Sequence, residues 1–455
     1  MEKTNKKALL NTEVDFLNGP IFRSLILFAA PLFISNIFQQ LYNMADTMIV
    51  GYYLGDSALA SIGSTASINE LLIGFGLGIG NGLAVVTARS FGAGNEKLLK
   101  KSVAGAIVIG IVSSIVITVF GSVILFPLLD ILKTPDEIIS WAYEYISIIV
   151  WFTIVMFAYN LCAGLLRAIG NSFMPLVFLI FSSVVNVVLD IVFIAYFSMG
   201  VKGAAVATVI SQGISVLLCI IYIIKKVPLL IPSRDDFKFD RALYVELFSQ
   251  GMSMGFMSSI VSVGSVILQF SINSLGTLII AAHTTARKVF VFFAMPFSTM
   301  ALSISTFVSQ NRGAGYIKRI KKAMKYAYIF DFAVAAVMTV VLLICSEGIV
   351  RLISGSSEQV VLYNGAMYMK ITAPFYAVLG MLLETRYALQ GIGEKLLPLV
   401  SSFIELVGKI IFVLLLIPKF DYMAVIFCEP VIWCFMTVQL VYSLYSNPVI
   451  KNEIS

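Results

Sequence analysis

The chain has 455 residues, of which 59% are hydrophobic and only 12% charged, and its formal net charge is +6. The charged share is roughly half that of a soluble globular domain, which excludes a water-soluble enzyme or a nucleic-acid-binding module and predicts an all-α polytopic membrane protein. No nucleotide-binding motif, catalytic Cys and His arrangement or metal-ligand spacing is present, so no enzyme, cofactor, metal or nucleic-acid partner is expected.

The N-terminal MEKTNKK is basic, and a polar stretch and Pro20 precede an apolar run from Phe22. That run is too long for a signal peptide and lacks a cleavage pattern, so the first span is predicted to be retained. About 20 apolar residues cross the hydrocarbon core, and twelve such runs are centred near residues 36, 70, 114, 150, 184, 212, 258, 294, 334, 376, 408 and 434. The first, residues 22–50, carries Pro31, which predicts a kink. It also carries Asn36, Gln40, Asn43 and Thr47, with Gln39 and Asp46 alongside. Spacings of four, three and four trace one helical stripe. Amides facing lipid would be unsatisfied, so this stripe must face a partner helix or a wet cavity; Asn36, Gln40 and Asn43 are candidates for contact with a substrate.

The second span holds Asn69 and Glu70, then GFGLGIGNG, which lets helices approach closely. Glu70 is a candidate contact for a cationic ligand, with a buried, neutral packing role as the alternative. The following RSFGAGNEKLLKK lacks the spacing and preceding strand of a phosphate-binding loop and reads as a cytoplasmic turn. In the fifth span, SSVVNVVLDIVFI at 182–194 places Asn186 and Asp190 on one helical face. A carboxylate in such a helix is costly without a partner or cavity, so Asp190 reads as an ion site; the plainer alternative is a neutral Asp hydrogen-bonded in a helix interface.

The polar segment KKVPLLIPSRDDFKFDR, 225–241, separates two halves, 1–224 and 242–455. Met252, Met254, Phe256 and Met257 open the seventh span and offer adaptable cavity walls. Farther on, Glu405 and Lys409 are spaced for an ion pair. Arg287 and Lys288 are expected to snorkel outward, or else to face the cavity and favour an anionic compound. His283 reads as a hydrogen-bonded interface residue, and Glu429-Pro430 as a local helix break. Glu384 and Lys370 are further charges within spans. Cys162, Cys219, Cys345, Cys428 and Cys434 all lie in apolar runs and are expected to fill the core.

The second half repeats the first. At an offset of 221, LGDSALASIG aligns with LGTLIIAAHT and TARSFGAGNEKLLKK with VSQNRGAGYIKRIKK; at 223, LLRAIGNSFMPLV aligns with ALQGIGEKLLPLV. Six spans per repeat keep both halves in the same orientation, which predicts parallel repeats around a cavity. Lys409 then stands where Asn186 does and Val413 where Asp190 does, so the two halves are functionally unequal. Placing the N-terminus in the cytoplasm puts 23 of the 31 Lys and Arg residues on that side, and the positive-inside rule thus predicts two cytoplasmic ends in the cell membrane.

The chain resembles the multidrug and toxic compound extrusion (MATE) family of transporters. The resemblance rests on APLFISNIFQQLYNMADTMIVG, the GAG turn in each half, LLRAIG, the Asn-x-x-x-Asp pair and GAAVATVISQ, and it covers residues 20 to 445. It implies two six-helix lobes forming a V, and a coupling-ion site made by Asp46, Asn186, Asp190 and Thr208. The seventh span lacks the Glu that some relatives use for a cation site in the other lobe. The resemblance also implies an antiporter in which H⁺ or Na⁺ enters and a small organic, often cationic and amphipathic compound leaves. Two carboxylates in a low-dielectric pocket cannot both stay ionised cheaply, which suits such coupling, and oxygen donors also suit Na⁺. The expected partners are small organic substrates and the lipid bilayer, and the expected state is a monomer. The alternatives are a flippase for a lipid-linked saccharide and a non-transporting membrane scaffold, against which the intramembrane carboxylates argue.

Overall fold

A computed structural model describes residues 13–131 and 134–451. The basic stretch MEKTNKK, whose lysines count in assigning the sides of the membrane, lies outside the described residues. Among those residues the secondary structure is helical throughout, with no strand. The packing divides into two compact units: Leu27–Ser259 with the stretch ending at Gly19, and Pro20–Ile26 with the chain from Ile260 onward.

The helices of the first half are α1 (Ile21–Leu54), α2 (Asp56–Ser64), α3 (Ala66–Gly92), α4 (Glu96–Ile131), α5 (Asp136–Trp151), α6 (Thr153–Ala168), α7 (Phe173–Ile191) and α8 (Val201–Lys226). α1 runs through Pro31, where the Ser35 hydroxyl donates to the Pro31 carbonyl at 2.8 Å. α5 and α6 meet at a 48° bend at Phe152. The carbonyl of Val150 at this break accepts from the hydroxyls of Thr153 and Thr118, at 2.7 and 3.2 Å, so hydroxyls on two helices meet the need that a break in a membrane helix creates. α7 continues into a π-helical turn, Val192–Tyr196.

Apolar burial discriminates poorly between a helix neighbour and lipid, so close packing of small residues decides which helices touch. The glycine run of α3 illustrates this. A methyl group on Gly82 would lie 2.6 Å from the Gln250 carbonyl oxygen, and one on Gly78 would lie 2.5 Å from that of Met254. Both partners belong to α9 (Arg241–Asn273), whose first half therefore packs backbone to backbone on α3. For this reason the packing divides within α9 rather than at the polar linker, which itself lies against the first unit: Leu230 is buried and Lys101 reaches Asp240 at 3.4 Å. Leu83, Leu99, Leu166, Cys219 and Leu247 form the centre of one apolar cluster of this unit.

The second half continues with α10 (Thr277–Gly313), α11 (Ile317–Ser354), α12 (Gln359–Thr372), α13 (Tyr376–Ile392), α14 (Leu396–Ile411), α15 (Ile417–Ser446) and a last turn, α16 (Pro448–Lys451). α14 ends in a π-helical turn, Phe412–Leu416, as α7 does. The sequence repeat is written into the backbone. Gly55 and Gly276 take φ of 80° and 99°, Gly94 and Gly315 67° and 77°, and Gly170 and Gly393 95° and 101°. All three pairs stand at the offsets read from the sequence.

Ten described helical stretches are long and apolar enough to cross a membrane, or eleven with the bent pair. This establishes a multi-pass membrane protein. Two sequence expectations change. α15 continues through Glu429 and Pro430, and its non-helical residue is Asp421. Of the five cysteines only Cys219 and Cys428 are buried; Cys162 and Cys434 are half-buried and Cys345 is exposed.

Candidate functional site

Three helices of the first unit bring the predicted ion-site residues together. α7 carries Asn186 and Asp190, both fully buried. α1 carries Asp46, half-buried, and α8 carries Thr208, 8% exposed. The spacing of four on α7 places Asn186 and Asp190 on the face turned inward, which also holds Ser182 and Phe178. The carboxyl groups of Asp46 and Asp190 lie within hydrogen-bond reach of each other. Neither oxygen of Asp190, nor the amide of Asn186, has another hydrogen-bond partner among the described residues.

Two ionised carboxylates are acceptors only, so they can bond to one another only if a proton sits between them. A small cation between them would relieve the same repulsion. Asn186 adds a neutral carbonyl oxygen and Thr208 a hydroxyl, both of which suit either occupant. Sequence reasoning missed two residues at this site. The Tyr42 hydroxyl lies 3.4 Å from Thr208 Oγ1, and Tyr145 of α5, 7% exposed, lies within electrostatic reach of Asp46, Tyr42 and Asp190. Tyr42 was legible as the residue one turn before Asp46; Tyr145 had no comparable signal.

The remaining candidates are dispersed. On α1, Asn36 is half-buried whereas Gln40 and Asn43 are exposed. Glu70 is exposed on α3. Arg287 does not snorkel: its guanidinium donates to Glu429 at 2.7 Å and covers the Phe290 ring at 4.6 Å. Tyr368 donates to the same Glu429 oxygen at 3.3 Å. Lys288 is exposed. Lys409 pairs with Glu405 at 2.9 Å, and the His283 Nδ1 lies 3.3 Å from the Tyr422 hydroxyl. Of the methionines expected to line a cavity, Met254 and Met257 are buried, and the Phe256 ring lies tilted against Phe75, with centroids 5.7 Å apart.

The MatE family model matches residues 31–192 and 254–415, one match in each half, and the chain belongs to that family. The probable multidrug resistance protein YoeA of Bacillus subtilis (strain 168) is 28% identical over 445 residues, 96% of each chain. The probable multidrug resistance protein YpnP of the same strain is 27% identical over 393 residues, 86% of this chain and 87% of that one. The crystal structure of MATE in the bent conformation superposes with a TM-score of 0.88 at 19% identity, over 97% of this chain and 99% of that one.

Proposed function

We propose that the protein is a cation-coupled antiporter that exports small organic, cationic amphipathic compounds, with H⁺ or Na⁺ as the coupling ion at Asp46, Asn186, Asp190 and Thr208. The observation that carries this reading is the meeting of the Asp46 and Asp190 carboxyls on separate helices with no other partner for Asp190. Such a pair is stable only while it holds a cation, and a site that needs its ion exchanges free energy with whatever conformational change closes or opens it. The multidrug-resistance relatives support drugs as the cargo.

Twelve spans in two six-helix repeats, 1–224 and 242–455 with the linker 225–241, fit the architecture. The bent α5 and α6 count as one span, and Asp421 divides the apolar stretch Leu396–Ser446 in two. The Lys and Arg distribution supports two cytoplasmic ends.

The test is transport of a cationic dye into everted vesicles under an imposed proton gradient and then a Na⁺ gradient, comparing wild type with Asp190→Asn and Asp46→Asn. Transport that follows one gradient and is lost in both variants, at unchanged membrane level, supports the reading and names the ion. Full export by both variants would sink it.

A further inference from the structure

A second carboxyl pair lies in the second unit, on helices to which sequence reasoning assigned no ion site. Asp331 of α11 and Glu384 of α13 are both fully buried, and their carboxyl groups lie within hydrogen-bond reach of each other. None of their four oxygens has another hydrogen-bond partner among the described residues. Among the described residues no ion pair or hydrogen bond joins either carboxyl to a Lys, Arg or His. The nearest cation on α13, Arg386, turns to Ser401 and Glu405 of α14 instead. An uncompensated pair of buried charges is prohibitive, so the pair exists only with a proton aboard.

The internal repeat indicates that this pair is not a by-product of packing. At the repeat offsets, Asp331 corresponds to Gly110, Gly380 to Phe157 and Glu384 to Leu161. These three positions touch in both units. In the first, a methyl group on Gly110 would meet the Phe157 ring at 3.1 Å and Leu161 at 3.3 Å. In the second, Gly380 leaves its side-chain space empty, and the Asp331 carboxyl occupies it. The same notch is filled by hydrocarbon in one unit and by two acids in the other, so the backbone does not require the acids.

A line of hydroxyls approaches the pair and ends beside it, at Thr385. Tyr445, 44% exposed on α15, lies close enough to Tyr328 to act on it. Tyr328 lies one turn before Asp331 on α11, is influenced by both carboxyls, and shares a 2.7 Å hydrogen bond with Thr385, the residue after Glu384. Each hydroxyl can accept a proton on its oxygen while passing its own onward.

We propose that Asp331 and Glu384 form a second proton-binding site, loaded and unloaded through Tyr445 and Tyr328. It is separate from the Asp46 and Asp190 site and stands whether or not that site couples transport.

The experiment is infrared difference spectroscopy of the purified protein in lipid nanodiscs between acidic and alkaline buffer, read at the protonated-carboxyl C=O stretch, in an Asp46→Asn/Asp190→Asn background that removes the first site. A pH-sensitive band is expected to persist in that background and to vanish when Asp331→Asn and Glu384→Gln are added. Tyr328→Phe should keep the band and slow its response to a pH jump severalfold. A variant that rebuilds the packing of the first unit, Asp331→Gly with Gly380→Phe and Glu384→Leu, provides the same loss should the amides fail to fold. A band that survives these substitutions, or one that ignores pH, overturns the proposal.

Discussion

Gly200 and Asp421 hold the same unusual backbone conformation, φ and ψ of 61° and −147° in one and 48° and −135° in the other, at positions 221 residues apart. In the first repeat the position follows the π-helical turn and opens α8; in the second it breaks α15. Glycine adopts this region freely, and a residue with a Cβ does not. The repeat has thus kept the bend and lost the residue that suits it.

Replacing Asp421→Gly should therefore stabilise the protein by about 1–3 kcal/mol, the usual range for relief of one strained residue. Thermal melting in detergent measures this, and a lower melting temperature would mean that the Asp421 side chain holds the bend.

Glu405 and Lys409 form an ion pair whose lysine side chain is only 2% exposed. Removing one partner of such a pair strands the other, at a cost of about 3–5 kcal/mol. Glu405→Leu alone should melt well below wild type, while Glu405→Leu with Lys409→Met should recover the part due to Lys409, the rest staying with Arg386, which also leans on Glu405 at 3.9 Å. Equal melting temperatures for the single and double variants would contradict this.

Gly82→Ala forces a methyl group onto the Gln250 carbonyl and should cost about 1–3 kcal/mol, as overpacking does. Gly74, in the same helix, has nothing within 4 Å of the place a methyl group would take, so Gly74→Ala should be neutral or slightly stabilising. A pair of melting curves decides, and similar losses for both would assign the effect to helix chemistry instead of contact.

Asp236, in the linker, accepts from the Ser233 amide at 2.8 Å and hydroxyl at 2.7 Å, and these bonds hold its carboxyl below the ordinary range. A depressed carboxyl stabilises the fold above its unfolded value of about 3.9, and the contribution fades as pH falls through the lower folded value. The protection of amides in residues 233–238, relative to their intrinsic exchange at each pH, should fall on acidification and be already low in Asp236→Asn at neutral pH. No difference between that variant and wild type would remove the capping role.

The sequence revealed what is local. Asn186 and Asp190 share a face because four residues make one turn, and the repeat was visible because glycines recur at fixed offsets. It concealed what depends on distance along the chain. Arg287 meets Glu429 across 142 positions, so a basic side chain near a helix end read as snorkelling when it was bound to a partner. Asp331 escaped notice as a lone acid in an apolar run, since its meaning comes from Glu384 on another helix and from the space left at Gly380. Tyr145 belongs near the first site only through the way α5 packs in the fold, which no local residue pattern announces.

The two glycines of α3 that meet α9 are four residues apart, one turn of helix. Two notches at that spacing form a detent. Sliding one helix past the other by a fraction of a turn would drive Ile79 or Leu83 against a backbone that tolerates only hydrogen, whereas a shift of a whole turn, about 5.4 Å, would seat a notch again. Any movement along this seam is therefore quantised, and the glycines set its step.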